Sequence, residues 1–209
     1  MSVTYSDIAA RGLERIGALS DGVFAIAMTL IVLEIHIPDP GPIHSEGELL
    51  TALAGLAPRL VTYGLSFLTL GIFWSGQQTQ LNHFARGNRD LAWIHLAFLS
   101  LVALMPFSTS LLAEFITFRL ALVIYWANIF LLGVLIYASW TYARHAGLVK
   151  EDTPADVDHA VKRRILIAQA LYAFGAALCL ASTYWSIAFI VLVQLNFAIG
   201  PRIRALSRI

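Results

Sequence analysis

The stretch that decides the fold is "RIGALSDGVFAIAMTLIVLEI", residues 15–35, a long apolar run with polar residues at both ends. Arg15 and Asp21 stand at its start and Glu34 at its end. About 20 mainly apolar residues suffice to cross the hydrocarbon core of a bilayer. Mixed charges precede the run and it is long enough to span, so we expect a first transmembrane helix rather than a cleaved signal peptide.

The composition of the whole chain agrees with a membrane protein. Hydrophobic residues make up 58% of the 209 positions, charged residues make up 13%, and the mean hydropathy is +0.73. Ordinary soluble domains are about 45–50% apolar and about 25% charged. The predicted fold class is therefore all-α, integral to the membrane. Cys179 is the single cysteine, which excludes an intramolecular disulfide.

Polar and Pro/Gly clusters divide the chain into six apolar runs that could each span the bilayer. We predict one six-helix transmembrane domain over residues 1–209, with spans at roughly residues 17–37, 53–76, 91–112, 119–142, 165–183 and 185–200.

The fourteen basic residues predict the orientation, because cytoplasmic flanks hold the excess of lysine and arginine. Both termini are predicted to be cytoplasmic, in a multi-pass protein of the cell (inner or plasma) membrane. Only Arg59 and Arg119 then lie outside. The inner flanks hold Arg11, Arg15, Arg86, Arg89, Arg144, Lys150, Lys162, Arg163, Arg164, Arg202, Arg204 and Arg208.

A helical wheel of the first run, at about 100° per residue, gathers its large aliphatic side chains on one stripe. Relative to Ile26, Leu30 lies about 40° to one side, Leu33 about 20° to the other, and Thr29 within about 60°. Asp21 points about 140° away. The stripe is either a packing seam or a functional surface, and Asp21 either caps the helix or joins a polar network.

Two blocks resemble the transmembrane protein 175 family of potassium channels. In the first helix, Arg15 followed by Leu19-Ser20-Asp21 resembles that family's signature Arg-x-x-x-Phe-Ser-Asp, with leucine in place of phenylalanine at position 19.

The second block, residues 73–112, is similar to the family's Trp-x-x-His-His segment, loop and Pro-Phe-Ser/Thr helix. Trp74 and "MPFSTSLL" fit this pattern. Gln77 and Gln78 stand where relatives often carry histidines and His95 where asparagine is usual, so the polar network is expected to be either rewired or less sensitive to pH.

The resemblance implies a homotetramer around a central pore lined by the first helix, conducting potassium selectively or preferentially without a carbonyl selectivity loop. It places the pore constriction and gate at Ile26, Leu30 and Leu33, with Thr29 as a candidate contributor to selectivity. The signature residues Arg15, Ser20, Asp21 and Trp74 are expected to anchor this helix to its neighbours.

Two other functions stay open. Asp21, Glu34 and Glu114 lie near the bilayer and suggest a proton-conducting or proton-coupled transporter, although transporters usually carry charge at mid-membrane. A non-conducting scaffold requires only that the stripe be helix packing. An enzyme is not expected: the sequence offers no catalytic set, no metal-ligand spacing such as HExxH, no cofactor motif and no sign of a nucleic-acid partner.

Polar residues elsewhere suggest contacts with lipid and between helices. The basic run Lys162–Arg164 is expected to meet anionic lipid headgroups, so membrane lipid is a predicted partner besides the chain's own copies and potassium ions. Asn128, Gln169, Gln194 and Asn196 are uncharged amides within predicted spans, and they either hydrogen-bond across helices or form a substrate site.

Overall fold

A computed structural model describes residues 5–36 and 38–199, which are almost entirely helical. Position 37 and residues 200–209 fall outside it, among them Arg202, Arg204 and Arg208 of the predicted inner flank. The helices of the described part are α1 (Tyr5–Leu30), α2 (Glu46–Gly55), α3 (Ala57–His83), α4 (Arg89–Glu114), α5 (Arg119–His145), α6 (Ala155–Ala177) and α7 (Thr183–Ile199).

The predicted second span is divided into two helices. α2 and α3 meet at Leu56 with a bend of 44°. Pro58 stands in the first turn of α3, where it lacks the N–H that would continue the hydrogen bonds of α2. At the other end α3 runs to His83, beyond the predicted limit at residue 76, so that Gln80 and Leu81 are buried helical residues.

Most predicted spans coincide with helices, but their number is not settled by length and hydropathy. Four helices are long and apolar enough to cross a membrane: α1 with the turn after it, α4, α5 and α6. The bent pair α2–α3 makes a fifth if it crosses as one unit. α7, at 17 residues, is shorter than a usual span. The chain is therefore a multi-pass helical membrane protein, and six spans stay a prediction.

The core is built around α4 and α5, which form the most extensive helix pair. Buried side chains recur every three or four residues along both helices, as on the packed face of any α-helix. They include Phe98, Val102 and Met105 of α4 and Tyr125 and Ile129 of α5. α1 packs against α4 and, less extensively, against α3. This arrangement leaves α1 at the margin of the protomer.

Candidate functional site

One face of α1 is uncovered in the protomer. Over the most apolar stretch of α1 and its following turn, 22% of the residues are buried, against 44% over the most apolar stretch of α5. The side chains of Ile26, Leu30 and Leu33 are 60%, 43% and 67% exposed. Phe24, Ala27 and Ile31 point the other way into the core. The predicted aliphatic stripe thus lies on the exposed face of α1 and its following turn, and the described part of the chain leaves much of it uncovered.

The end of this helix differs from the sequence-based expectation, which extended one α-helix through Glu34. The α-helix ends at Leu30, and residues Ile31–Glu34 form a tighter 3-10 turn. Such turns are common at helix C-termini, and the β-branched Ile31 and Val32 have lower helix propensity than straight-chain residues. Leu33 therefore lies on a turn with a longer rise per residue than the α-helix that carries Ile26 and Leu30.

Thr29 lies on the same exposed face. Its hydroxyl is 3.0 Å from the Ala25 carbonyl oxygen and 2.8 Å from that of Ile26, so its single proton is directed at the helix backbone. A threonine hydroxyl has one proton and two lone pairs. The oxygen is therefore an acceptor towards the exposed side, which suits contact with a cation.

Asp21 is held by two donors from α3. The indole Nε1 of Trp74 and the amide Nε2 of Gln78 each lie 2.8 Å from Asp21 Oδ1. Trp74 and Gln78 are four residues apart, so both project from one side of α3. These bonds fix α1 against α3 at the polar end of the stripe.

A second, buried chain of hydrogen bonds joins four helices. Ser20 of α1 donates to the Ile16 carbonyl at 2.8 Å and accepts from Gln77 Nε2 of α3 at 3.0 Å. The same amide nitrogen is 3.0 Å from Nδ1 of His95 in α4. His95 Nε2 is 3.2 Å from the hydroxyl of Ser139 in α5.

The Gln77 amide determines which atoms donate and which accept in this series of hydrogen bonds. Because the Gln77 N–H group can only donate, His95 Nδ1 accepts, and the ring proton lies on Nε2 facing Ser139. Gln77 and His95, which depart from the family pattern, thus bond to each other as well as to Ser20 and Ser139.

The structure does not bring Arg15 into this network. Arg15 is exposed and, with Asn88 and Arg89, lines a groove between α1 and α4. Among the described residues, the ion pairs join Arg59 to Glu114 and both Arg144 and Lys162 to Asp158. Leu19 is 47% exposed, so the leucine that replaces phenylalanine faces away from the core.

A third polar cluster holds the turn at the far end of α1. Arg59 of α3 donates to the Glu34 carbonyl oxygen at 3.2 Å and to Glu114 Oε2 of α4 at 2.7 Å. Its guanidinium is also 2.9 Å from His36 Nδ1. The Ser110 hydroxyl donates to Glu34 Oε2 at 2.7 Å. Both ends of the exposed stripe are therefore tied to α3 and α4.

Sequence reasoning missed most of this far-end cluster. It placed Glu34 and Glu114 near the bilayer surface but did not pair them with Arg59 and Ser110. The four-residue spacing of Ser110 and Glu114 puts them on one face of α4 and was the available signal. It missed Ser139 as well, because nothing in the α5 sequence distinguishes that serine from others.

These features define a class of protein: a multi-pass helical membrane protein whose first helix is anchored by polar clusters at both ends and leaves an apolar face open between them. The family model described as the endosomal/lysosomal potassium channel TMEM175 matches residues 15–106. A protein named a potassium channel, from Chamaesiphon minutus, is 31% identical over 191 residues, which cover 88% of this chain and 93% of that protein. The chain belongs to the TMEM175 family.

Other relatives match over shorter parts. A protein named a potassium channel, from Streptomyces collinus, is 41% identical over 103 residues, covering 49% of this chain and 48% of that protein. The human protein named endosomal/lysosomal proton channel TMEM175 is 34% identical over 98 residues, which cover 44% of this chain and 19% of the human protein.

The fold is shared with a solved relative. The crystal structure of a lysosomal potassium-selective channel TMEM175 homolog from Chamaesiphon minutus superposes with a TM-score of 0.77 at 28% identity. The superposition covers 90% of this chain and 97% of that one.

Proposed function

We propose that this chain is the subunit of a potassium-selective or potassium-preferring channel, a homotetramer whose central pore is lined by α1. The observation that carries the proposal is the exposed aliphatic face of α1, in a chain that shares its fold along 90% of its length with a potassium-selective channel homolog. The activity is passive ion conduction and not an enzymatic reaction, and it needs no cofactor beyond the permeating ion.

Asp21 gives a separate reason to expect assembly, since it points about 140° away from the aliphatic stripe. It remains exposed in a single chain even though Trp74 and Gln78 bind one of its oxygens. A carboxylate facing lipid costs roughly 2.5–3.5 kcal/mol at a helix centre on insertion scales. Neighbouring copies of the chain would remove this cost by surrounding α1 with protein and with the pore.

The stripe itself suits a gate. Ile26 and Leu30 are separated by one helical turn, about 6 Å along the axis, so four copies would form successive aliphatic rings. Narrow apolar rings close a pore by excluding water, because an ion cannot cheaply leave its hydration shell there. Leu33 would add a third ring, and the outward lone pairs of Thr29 would supply oxygen contacts between the first two.

The membrane topology is part of the proposal. α2 and α3 would cross as one bent span and α7 as a short last span, giving six crossings with both termini cytoplasmic in the cell (inner or plasma) membrane. Arg59 and the turn at Ile31–Glu34 then lie at the outer mouth, and Asp21 near the inner boundary.

The test is ion flux through purified protein in liposomes under matched potassium and sodium gradients. Leu30→Ala should widen the second ring and raise the flux or lower the potassium preference. Thr29→Val should lower the ratio of potassium to sodium flux. Leu192→Ala is the matched control, since Leu192 is an exposed leucine on α7. Wild-type flux in Leu30→Ala would remove Leu30 from the pore.

Proton conduction is a second candidate function, favoured by the name of the human relative, a proton channel. A pH-sensitive dye inside the same liposomes measures it directly. Acidification that follows an imposed proton gradient and changes together with the potassium flux in Leu30→Ala would assign both ions to one pathway.

A further inference from the structure

A cavity of about 330 Å³ lies between α3, α5, α6 and α7, away from the exposed face of α1. Its size falls at the low end of the roughly 300–1,000 Å³ range of small-molecule sites. Most of its wall is apolar and includes Ile72, Phe73, Ile136, Ile165 and Phe197. A hydrocarbon chain could therefore occupy it without exposing apolar surface.

Three polar groups in the cavity wall lack partners. Within the described residues, the buried Gln80 Oε1, Gln169 Oε1 and Tyr172 hydroxyl make no hydrogen bond. Gln80 and Tyr172 are each only 2% exposed. Five other buried polar atoms of the described residues also lack a partner, so an unpartnered atom alone does not mark a ligand site. What distinguishes these three groups is that their residues line the same apolar cavity, where a ligand could supply the missing partners.

The side chain of Gln169 fills the space left by the missing side chain of Gly133. It lies directly against Gly133 of α5, where a Cβ atom would collide with the Gln169 amide. The absence of a Cβ atom at Gly133 thus lets the Gln169 amide of α6 pack closely against the backbone of α5. The amide nitrogens of Asn128 and Gln194 donate across helices to Ser108 and Thr69, and that of Gln80 donates to the Ile136 carbonyl. Among the described residues, Gln169 makes no such bond.

The opening of the cavity is cationic. Arg164 lines it, exposed, with its guanidinium carbon 5.9 Å from the centroid of the Phe197 ring. Lys162 and Arg163 precede it directly. Tyr172 follows eight residues later on α6, about 12 Å further along the axis. The site therefore offers a cation at the mouth, hydrogen-bonding groups inside and an apolar wall.

We infer that this cavity binds an anionic glycerophospholipid, with the phosphate at Arg164, headgroup hydroxyls and ester oxygens at the unpartnered groups, and part of an acyl chain along the apolar wall. Headgroup hydroxyls supply the donors that Gln80 Oε1 and Gln169 Oε1 need, and the Tyr172 hydroxyl can donate to an ester carbonyl. Arg164 can form charge-assisted hydrogen bonds with the phosphate of either an anionic or a zwitterionic lipid. The anionic lipid is favoured because a choline headgroup adds a cation beside the arginine and has no hydroxyl to donate to the glutamine oxygens.

The experiment measures lipid binding to full-length protein in detergent, by native mass spectrometry with phosphatidylglycerol, phosphatidylcholine and glycerol phosphate as separate probes. We expect phosphatidylglycerol to bind more tightly than phosphatidylcholine. Arg164→Gln should weaken phosphatidylglycerol binding on the order of tenfold. Arg163→Gln, which alters the adjacent exposed arginine, is the matched control and should bind within about twofold of wild type.

A second variant tests the cavity rather than the charge. Ala160 lines the opening and is exposed, so Ala160→Trp should block entry and abolish binding without disturbing the core. Wild-type binding in both Arg164→Gln and Ala160→Trp would overturn the inference. Equal binding of the two lipids would overturn it too, as would glycerol phosphate binding as tightly as the lipid. Because no flux is measured, the outcome is independent of the channel proposal.

Discussion

Gln77 is the residue on which the buried four-helix network depends, and its replacement by leucine gives a defined loss of stability. Gln77→Leu removes the two bonds from Nε2, to Ser20 and to His95, each 3.0 Å long. It also leaves His95 Nδ1 without its donor. Leucine is of similar size and preserves the packing volume, so the effect reports on hydrogen bonding.

The magnitude follows from three contributions. Two neutral hydrogen bonds contribute about 1 kcal/mol each, or nearer 0.6 kcal/mol each by the average for membrane helices. The orphaned His95 nitrogen costs about 1–3 kcal/mol. Gln77 Oε1 is itself buried without a partner among the described residues, so its removal recovers a similar amount. The last two cancel, and we expect a loss of about 1–2 kcal/mol.

The assay is unfolding in mixed micelles of dodecyl maltoside and increasing SDS, followed by the fluorescence of the chain's five tryptophans. Ser139→Ala, which removes only the last bond of the network, should cost about half as much. Ser100→Ala is the control, because this exposed hydroxyl bonds only to the Ala97 carbonyl of its own helix. A Gln77→Leu protein within about 0.5 kcal/mol of wild type would refute the network's contribution to stability.

Two further predictions concern the outer end of α1 and the topology. Arg59→Gln should raise amide hydrogen exchange in residues 31–36 about fivefold. It should change global stability by less than about 1 kcal/mol, since the ion pair with Glu114 is partly exposed. Arg119→Gln, which loses a bond to the Leu180 carbonyl, is the control and should leave that exchange unchanged. In a Cys179→Ser background, Glu46→Cys should react with a membrane-impermeant maleimide on intact cells, whereas Glu151→Cys should react only after permeabilisation. The reverse pattern would invert the proposed orientation.

The helices that the sequence predicted best are those with unbroken apolar runs. α4 and α5 differ from their predicted spans by at most three residues, because hydropathy depends on the same side chains that pack or face lipid. The exposed stripe of Ile26, Leu30 and Leu33 also followed from periodicity alone. The regular geometry of an α-helix was sufficient because the three residues lie within about two turns, although Leu33 itself lies on the 3-10 turn that follows.

Hydrophobic periodicity could not predict contacts between residues that lie far apart in the sequence. The partners of Asp21 stand 53 and 57 positions later, and that pairing depends on how α1 and α3 pack. The bend at Leu56 and the 3-10 turn at Ile31–Glu34 are local, but spans drawn from hydropathy record neither the effect of Pro58 on the helix nor a change of helix type. The unpartnered oxygens of Gln80, Gln169 and Tyr172 become recognisable only once α3, α5 and α6 are assembled around the cavity.

The long separation between Asp21 and its donors has a consequence for synthesis. Gln78 is made 57 residues after Asp21. At about 5–20 residues per second, the carboxylate waits roughly 3–11 s before α3 exists to bind it. During that interval α1 cannot settle in lipid with Asp21 unpaired except at a free-energy cost. The first helix should therefore remain beside the insertion machinery until α3 arrives, and crosslinking of stalled nascent chains to the translocon would reveal that delay.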